Sequence, residues 1–495
     1  MNSAAAAFVL YSHMSFSFAT IQQYHQQLLS GATTCTRAVT HYLQNIQANS
    51  HLNAMVHVFE QDALSQAQKL DLLVAEGKPL LPLHGVVVSI KDVFNYQGKP
   101  VSAASNMLKG YTALYNATAV ERILQAGAII IGTTNCDEFA MGSTNENSAH
   151  GPVLNAADNT KVPGGSSGGA AVSVQASLCM VALGSDTGGS VRQPADFCGV
   201  FGLKPSYGRI SRFGLIAYAS SFDCVGIFGN STADVATVYN IVAGADGKDS
   251  TAMAQAPEPI HLSTTENTKK YRFAWLAPTL VETSPDAEIQ AAIKSTFSAL
   301  EAQGHTVTSL PFDLFDFIVP AYYVLTTAEA SSNLGRFDGI RYGHAEDTPP
   351  ADLTAFYKRN RSQGFGKEVQ RRIMLGSFVL SAGYFDAYFT KAQQVRQSII
   401  NETTSIFKGF DAIIMPVSPN TAPVLGESEK DPIATYLADI YTVFANLAGV
   451  PAMAIPLYKH SNGMPFGVQV LTNRGEEVLL HSISGMLEKN FKQVV

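Results

Sequence analysis

The sequence predicts an α/β fold built on a largely parallel sheet, because short β-branched runs alternate with helix-like segments and almost half of the 495 residues are apolar. Apolar residues make up 46% of the chain and Asp, Glu, Lys and Arg only 15%, well under the roughly 25% of an average soluble protein, so a large core can be buried. No internal repeat, low-complexity tract or Pro-rich linker divides the chain. Its length is therefore compatible with one large domain as well as with several.

The elements follow in order. Residues 1–14, MNSAAAAFVLYSHM, have no Lys or Arg ahead of a short apolar run that cannot span a bilayer, so they are expected to be a disordered extension. From Ser15 to about residue 80 the pattern is helical, with Ile21, Tyr24, Leu28 and Leu29 on one stripe and Ala38, Leu43 and Ile46 on another. LHGVVVSI, between Pro82 and the pair Lys91-Asp92, has the continuous β-branched character of a strand buried on both faces. TAVERILQA then predicts a helix and GAIIIG a second strand, a crossover that makes the two strands parallel. Past His150 come two Gly/Ser clusters separated by helix-like AAVSVQASL and strand-like CMVALGS. RFAWL, DAEIQAAIKSTFSALEAQG and HTVTSL repeat strand, helix, strand; residues 320–408 are mostly helical; AIIMPV, VPAMAIPL and GVQVL are strands, and EEVLLHSISGMLEKNF is a closing amphipathic helix. One domain over 15–493 results: a helical layer (15–80), a core (81–245), a helix-rich part (280–408) and closing strands and helix (409–493).

Several functions are disfavoured by composition. The net charge is −7 and no Lys/Arg-rich run occurs, which leaves little for a phosphate backbone to bind. Cys35, Cys136, Cys179, Cys198 and Cys224 are scattered and form no CxxC, which fits reduced thiols in the cytoplasm and gives no metal site or disulfide framework.

The chemistry lies between Lys91 and Ser190. Gly164 to Gly168 spells G-x-S-x-G, but polar DNTKVP precedes it where a nucleophile elbow needs a buried strand. No Lys-Ser or Lys-Thr closes it as a phosphate loop either. The second cluster, Gly184 to Ser190, follows the strand-like CMVAL, so Ser190 sits on a turn whose N–H groups can converge on an oxyanion. A serine needs a base to remove its proton. Among the twelve histidines, only His84 and His150 have suitable contexts, and each suits a packed or solvated role equally well. Lys91 is the better candidate, because burial at the end of VVVSI disfavours its ammonium. A serine between base and nucleophile can relay the proton, which suits a Ser-Ser-Lys arrangement.

GVVVSIKD, PGGSSGGAAVSV and GSDTGGSVRQPADFCGVFGLKPSYGRIS together resemble the three separated motifs of the amidase-signature family. The resemblance implies Ser190 as nucleophile, Ser166 as a bridging serine on a cis peptide, and Lys91 as the base acting through it. It places the oxyanion hole at the amides of Thr187, Gly188 and Gly189, and it implies a mixed, largely parallel sheet flanked by helices on both faces. Further segments, CDEFAMGSTNENSAHGPV, AEASSNLGRFDGIRYG, GFGKEVQRRIMLGSFVLSAGYFDAYFTKAQQVR and DIYTVFANLAGVPAMAIP, are similar to the family's glutaminase subunits of tRNA-dependent amidotransferases. The likeness runs from Phe16 to Phe491. Ala170, where a serine is common, and NAADNTK, which lacks the usual tryptophan, depart from it without touching the three catalytic positions.

That branch of the family implies glutamine as substrate. Free glutamine carries a carboxylate and an ammonium, so its pocket needs one cation and one anion at fixed separation. By resemblance the cation is in Arg371-Arg372, the anion is Asp439, and Tyr323 supplies a hydroxyl. Neighbouring helical residues point ~100° apart, so only one arginine can face the ligand, and Arg372 is preferred. Asp186 and Arg192 are expected to brace the turn. The resemblance also implies no cofactor or metal in this chain, with ATP and magnesium on a partner, and a heterotrimer with subunits B and C. Its ammonia would serve Glu-tRNA(Gln) or Asp-tRNA(Asn), reached only through the partner. A stand-alone amidase with an apolar acyl channel is the alternative; a catalytically silent scaffold is a third reading that Lys91, Ser166 and Ser190 count against.

Overall fold

In the computed structural model, which describes residues 18–261, 269–281, 286–345, 352–430 and 436–492, the N-terminal layer begins with α1 (Ile21–Leu29) and α2 (Cys35–Ala48). The hydroxyls of Thr20 and Thr34 cap these helices by accepting the N–H groups of Gln23 and Arg37. Ile21, Tyr24 and Leu28 are buried as expected, but Leu29 is 69% exposed. One residue beyond Leu28 it is turned ~100° off the apolar stripe. The expectation for residues 1–14 falls outside the described residues.

The segment expected to be wholly helical is interrupted by a strand, β1 (Met55–Val58), whose run MVHV joins the edge of the sheet, and α3 (Glu60–Ala75) completes the layer. β2 (Val87–Lys91), α4 (Thr118–Gln125) and β3 (Ile129–Thr134) then form the expected crossover. α5 (Gly168–Gln175), β4 (Val181–Asp186), α6 (Arg192–Cys198), β5 (Phe201–Lys204), β6 (Cys224–Gly229) and α7 (Thr232–Val242) follow. The second half contains β7 (Arg272–Leu276), α8 (Ala287–Ala302), β8 (Thr306–Leu310), α9 (Ile318–Asn333), α10 (Leu353–Gly364), α11 (Lys367–Val379), α12 (Lys391–Gly409), β9 (Ala412–Pro416), α13 (Glu427–Lys430), α14 (Ile440–Ala448), β10 (Ala452–Lys459), β11 (Pro465–Leu471) and α15 (Glu477–Phe491).

The strands join in one sheet of order β1-β3-β2-β4-β6-β5-β10-β11-β9-β7-β8. β3-β2-β4 and β9-β7-β8 are parallel, and the other neighbours are antiparallel. The sheet is thus mixed, as expected, but parallel only in two groups near its flanks rather than throughout. Parallel pairing needs a helical crossover, which α4 and α8 supply, whereas β10 and β11 are joined by a short turn that forces them antiparallel. Helices cover both faces: Gly226 of β6 faces Val191 at the start of α6, and Gly229, on the opposite side of the strand, faces Val235 of α7.

One apolar cluster runs from Ile21 to Leu487 and joins these layers into a single α/β domain. Among the described residues no helix is long and apolar enough to cross a membrane. The five cysteines are buried and unpaired. Because β2 and β4 run parallel, their carboxyl ends, at Lys91 and Asp186, open on the same edge of the sheet, where α/β folds place their ligands.

Candidate active site

Lys91 ends β2 with every strand neighbour buried, and its ammonium is fully enclosed. Nζ donates to Ser166 Oγ (2.7 Å), Ser167 Oγ (2.9 Å) and Ser185 Oγ (2.9 Å). Three neutral hydroxyls thus satisfy its donors without a carboxylate among them. Burial pushes its pKa down to about 8, against the more distant pull of Cys136, Asp137, Asp186 and Asp223. His84 is bonded to the Leu70 carbonyl and His150 to Ser102 Oγ, so neither expected alternative joins this cluster.

Ser166 follows a cis peptide bond from Gly165, as the family resemblance implies. The carbonyl of Ser166 accepts the N–H of Asp137 (3.1 Å), and the Ser167 N–H donates to the carbonyl of Ser190 (3.2 Å). These links set the two glycine-serine loops side by side. Among the described residues, however, no hydrogen bond joins the hydroxyls of Ser166 and Ser190, so the Lys91–Ser166 contact is formed while the Ser166–Ser190 contact is open.

Ser190 lies on the turn leaving β4, and Asp186 organises that turn. Its carboxylate accepts the N–H groups of Gly189 (2.9 Å) and Val191 (3.1 Å) and both Nε and Nη2 of Arg192 (3.1 Å each). Burial alone would raise the pKa of Asp186, but the Arg192 guanidinium holds it at about 2. Asp186 and Arg192 therefore brace the turn, as expected. The Gly189 N–H, expected as a free oxyanion donor, is engaged by Asp186; Thr187 and Gly188 lie beside it on the same turn. Gly189 has φ +121°, and a side chain there would strike Thr442, so the turn requires glycine.

A narrow cavity next to Ser190 is lined by Gly188, Tyr322, Tyr323, Arg372 and Asp439. It shares Gly142, Ser143 and Arg372 with an outer cavity of about 340 Å³ bounded by Glu368, Arg371 and Tyr436. Arg372 of α11 is buried, donating to Glu368 Oε1 and to Tyr218 Oη (2.8 Å each), and its guanidinium lies 5.4 Å from the Tyr323 ring centre. Arg371, one residue earlier, has a side chain 53% exposed and pairs with Glu368 from outside. The helical phase thus separates the two arginines as anticipated. Asp439 accepts hydrogen bonds from Ser143 Oγ (2.8 Å) and Tyr323 Oη (2.9 Å), and burial raises it to about 6. The Tyr323 proton is therefore directed to Asp439: the tyrosine stands between the buried cation and the buried anion and fixes the latter.

Ser143, Ser167, Ser185, Tyr218, Tyr322 and Glu368 belong to this site but have no role in the sequence reading. Ser143 and Glu368 lie within segments carrying the family resemblance, and Ser167 and Ser185 within the two clusters; Tyr218 and Tyr322 carry no local signal. Among the described residues no group of three or more His, Cys, Asp or Glu is placed to hold a metal ion.

The amidase family model matches residues 37–480, and this chain, with its buried lysine bonded to a serine beside a glycine-rich turn, belongs to the amidase family. Over 95% of its length it is 45% identical to the A-subunit of the glutamyl-tRNA(Gln) amidotransferase of Chlorobium luteolum, covering 97% of that protein. It superposes on a crystal structure of the glutamyl-tRNA(Gln) amidotransferase A-subunit from Thermotoga maritima with a TM-score of 0.78 at 35% identity, over 97% of this chain and 96% of the other. The structure of 6-aminohexanoate cyclic dimer hydrolase is also similar, with a TM-score of 0.83 at 25% identity, over 97% and 98% of the two chains.

Proposed function

We propose that this chain is the glutaminase subunit of a tRNA-dependent amidotransferase. The observation that carries this reading is the pairing of Arg372 with Asp439 in the cavity that also receives Ser190. A buried guanidinium and a buried carboxylate on either side of Tyr323 suit the two charges of a free α-amino acid, and the narrow space between them and Ser190 suits a short side-chain amide. The identity with proteins named as the A-subunit of glutamyl-tRNA(Gln) amidotransferase points the same way.

In this mechanism Arg372 holds the glutamine carboxylate and Asp439 its ammonium, which sets the amide carbon over Ser190. Neutral Lys91 draws a proton from Ser166 as Ser166, turned toward Ser190, takes the proton of the attacking Oγ. Negative charge then develops on the amide oxygen against the N–H groups of Thr187 and Gly188, with Gly189 sharing its N–H between Asp186 and the oxyanion. The proton returns through Ser166 to the departing nitrogen, the C–N bond breaks, and ammonia leaves a γ-glutamyl ester on Ser190. Water then attacks the ester, releasing glutamate and restoring the hydroxyl.

The ammonia is used elsewhere. A chain of net charge −7 with no basic run has little with which to hold tRNA, so activation of Glu-tRNA(Gln) or Asp-tRNA(Asn) with ATP and magnesium is assigned to a partner in a cytoplasmic heterotrimer with subunits B and C. The hydrolase likeness keeps a stand-alone amidase as the second reading. The test is glutamate release from glutamine by the purified protein, with and without its copurifying subunits. Glutamine hydrolysis that disappears in Ser190→Ala is expected; cleavage of simple aliphatic amides with none of glutamine would overturn the assignment in favour of the amidase.

A further inference from the structure

The segment CDEFAMGSTNEN contains three acids, and each holds a different part of the molecule. Glu138 accepts the N–H of Gly366 (2.8 Å), the residue that starts the Arg372 helix, and Glu146 accepts that of Gly426 (2.6 Å) ahead of α13. Asp137, fully buried, touches both halves of the site. On one side, its Oδ2 and Oδ1 accept the N–H groups of Asn145 (2.9 Å) and Asn147 (3.0 Å), fixing loop 142–147. Ser143 of that loop donates to Asp439, and Gly142 and Ser143 line the narrow cavity. On the other side, the Asp137 N–H holds the Ser166 carbonyl, and the carboxylate packs against Gly165. A side chain at either Gly142 or Gly165 would collide with that carboxylate, so both loops are shaped to close around it.

The geometry points to Asp137 as a positioning residue that locks the Ser166 loop to the substrate-pocket loop 142–147, so that the relay serine and the anion receiving the substrate ammonium keep one spacing. This rests on the roles given above to Ser166 and Asp439. Asp137 does not line the cavity beside Ser190; its contacts with the site run through the two loops, and its charge reaches Lys91 only at longer range.

Asp137→Asn retains the shape but turns an NH₂ group against one of the two loop amides, so that loop loses an acceptor. In the full-length protein with its copurified subunits, it is expected to raise KM for glutamine and lower kcat by about tenfold each, from one lost charge-assisted bond and the resulting misplacement. Labelling of Ser190 by a small fluorophosphonate, which has no amino-acid group and reports only on the activated serine, should slow by about tenfold as well. In the Ser143→Ala background, Asp137→Asn should add little to KM, since both act on Asp439 through one path.

A folded Asp137→Asn protein with KM and labelling rate per active site unchanged, or with only one of the two altered, overturns the coupling. So do effects of Asp137→Asn and Ser143→Ala on KM that multiply. Should Asp137→Asn fail to fold, Gly142→Ala pushes on the same carboxylate from the pocket side; the paired change supports the inference and an altered KM with normal labelling refutes it. If the wild type hydrolyses no glutamine, the functional reading fails, and labelling together with KM for the amide it does cleave still decides the role of Asp137.

Discussion

Two cations lie fully buried beside the turn that carries Ser190, and their surroundings differ in one respect. Arg192 has the Asp186 carboxylate at two of its nitrogens, together with the Thr442 carbonyl (2.8 Å), Gln469 Oε1 (2.9 Å) and Asn446 Oδ1 (2.7 Å). Lys91 has three serine hydroxyls. A buried charge with a paired, hydrogen-bonded counterion is locked, whereas one with only neutral acceptors bears the desolvation cost and becomes easier to deprotonate. The same burial thus accompanies a locked ion pair on one side of the turn and a lysine of lowered pKa on the other. The distinction lies in the counterion rather than in the depth.

Removing each cation should break the molecule in a different way. Lys91→Met should lower kcat for amide hydrolysis by about 10²–10⁴-fold, the usual contribution of a general base, with the thermal transition of the folded protein retained. Wild-type-like turnover in Lys91→Met would return the lysine to a structural role. Arg192→Met should instead act on stability, since it leaves Asp186 charged and buried without its partner, at a cost of about 3–5 kcal/mol in denaturant unfolding. A loss of under about 1 kcal/mol, the level of an exposed pair, would show that the turn does not depend on the Asp186–Arg192 lock.

How far this contrast was legible in the sequence follows from where the information lies. Lys91 could be found because a continuous apolar strand carries the next residue inward, and Ser190 because its glycine cluster follows a strand. Arg372 could be separated from Arg371 by helical phase alone. Ser166 was a weak motif by itself and became interpretable through the family resemblance. The hydroxyl cage could not be seen, since Ser185 reaches Lys91 only through the β2–β4 register and Ser167 only through the loop before α5. The same holds for the acid pocket, where Ser143 and Asp439 meet from positions 296 residues apart. In the fold, β5 and β6 were missed because FGLK is only four residues long and CVGIFG is interrupted by glycines, so neither shows the continuous β-branched run that marks β2 and β3, and they bring with them the antiparallel middle of the sheet.

The pH profile sharpens the comparison. In the proposed mechanism Lys91 acts only when neutral, so kcat/KM should climb about tenfold per pH unit from about 6 to a midpoint near its pKa of about 8 and then level off, and should fall more steeply below about 6, where Asp439 also takes up a proton. Asp186, held at about 2, stays charged across that range and contributes no limb. Ser185→Asp would give Lys91 the counterion it lacks. Its charge favours the ammonium, so the midpoint should move to higher pH by about one unit or more, and activity at pH 7 should fall accordingly. An unmoved midpoint in Ser185→Asp would mean that a group other than Lys91 sets the alkaline rise.

The smallest effect is expected at Arg371, which differs in burial from its neighbour Arg372. Arg372 is 5% exposed, anchored by Glu368 and Tyr218, and aimed into the cavity; its replacement by Ala should raise KM for glutamine by about 10–150-fold, the worth of a charge-assisted hydrogen bond of about 1.5–3 kcal/mol. Arg371 shares the same glutamate from a solvent-exposed position, where water and salt screen the pair and side-chain entropy opposes it. Arg371→Ala should change KM by less than about fivefold, equivalent to the 0–1 kcal/mol of an exposed ion pair. A large KM effect at Arg371 with little at Arg372 would move the carboxylate site outward, into the larger cavity bounded by Tyr436, and the amide would then no longer reach Ser190.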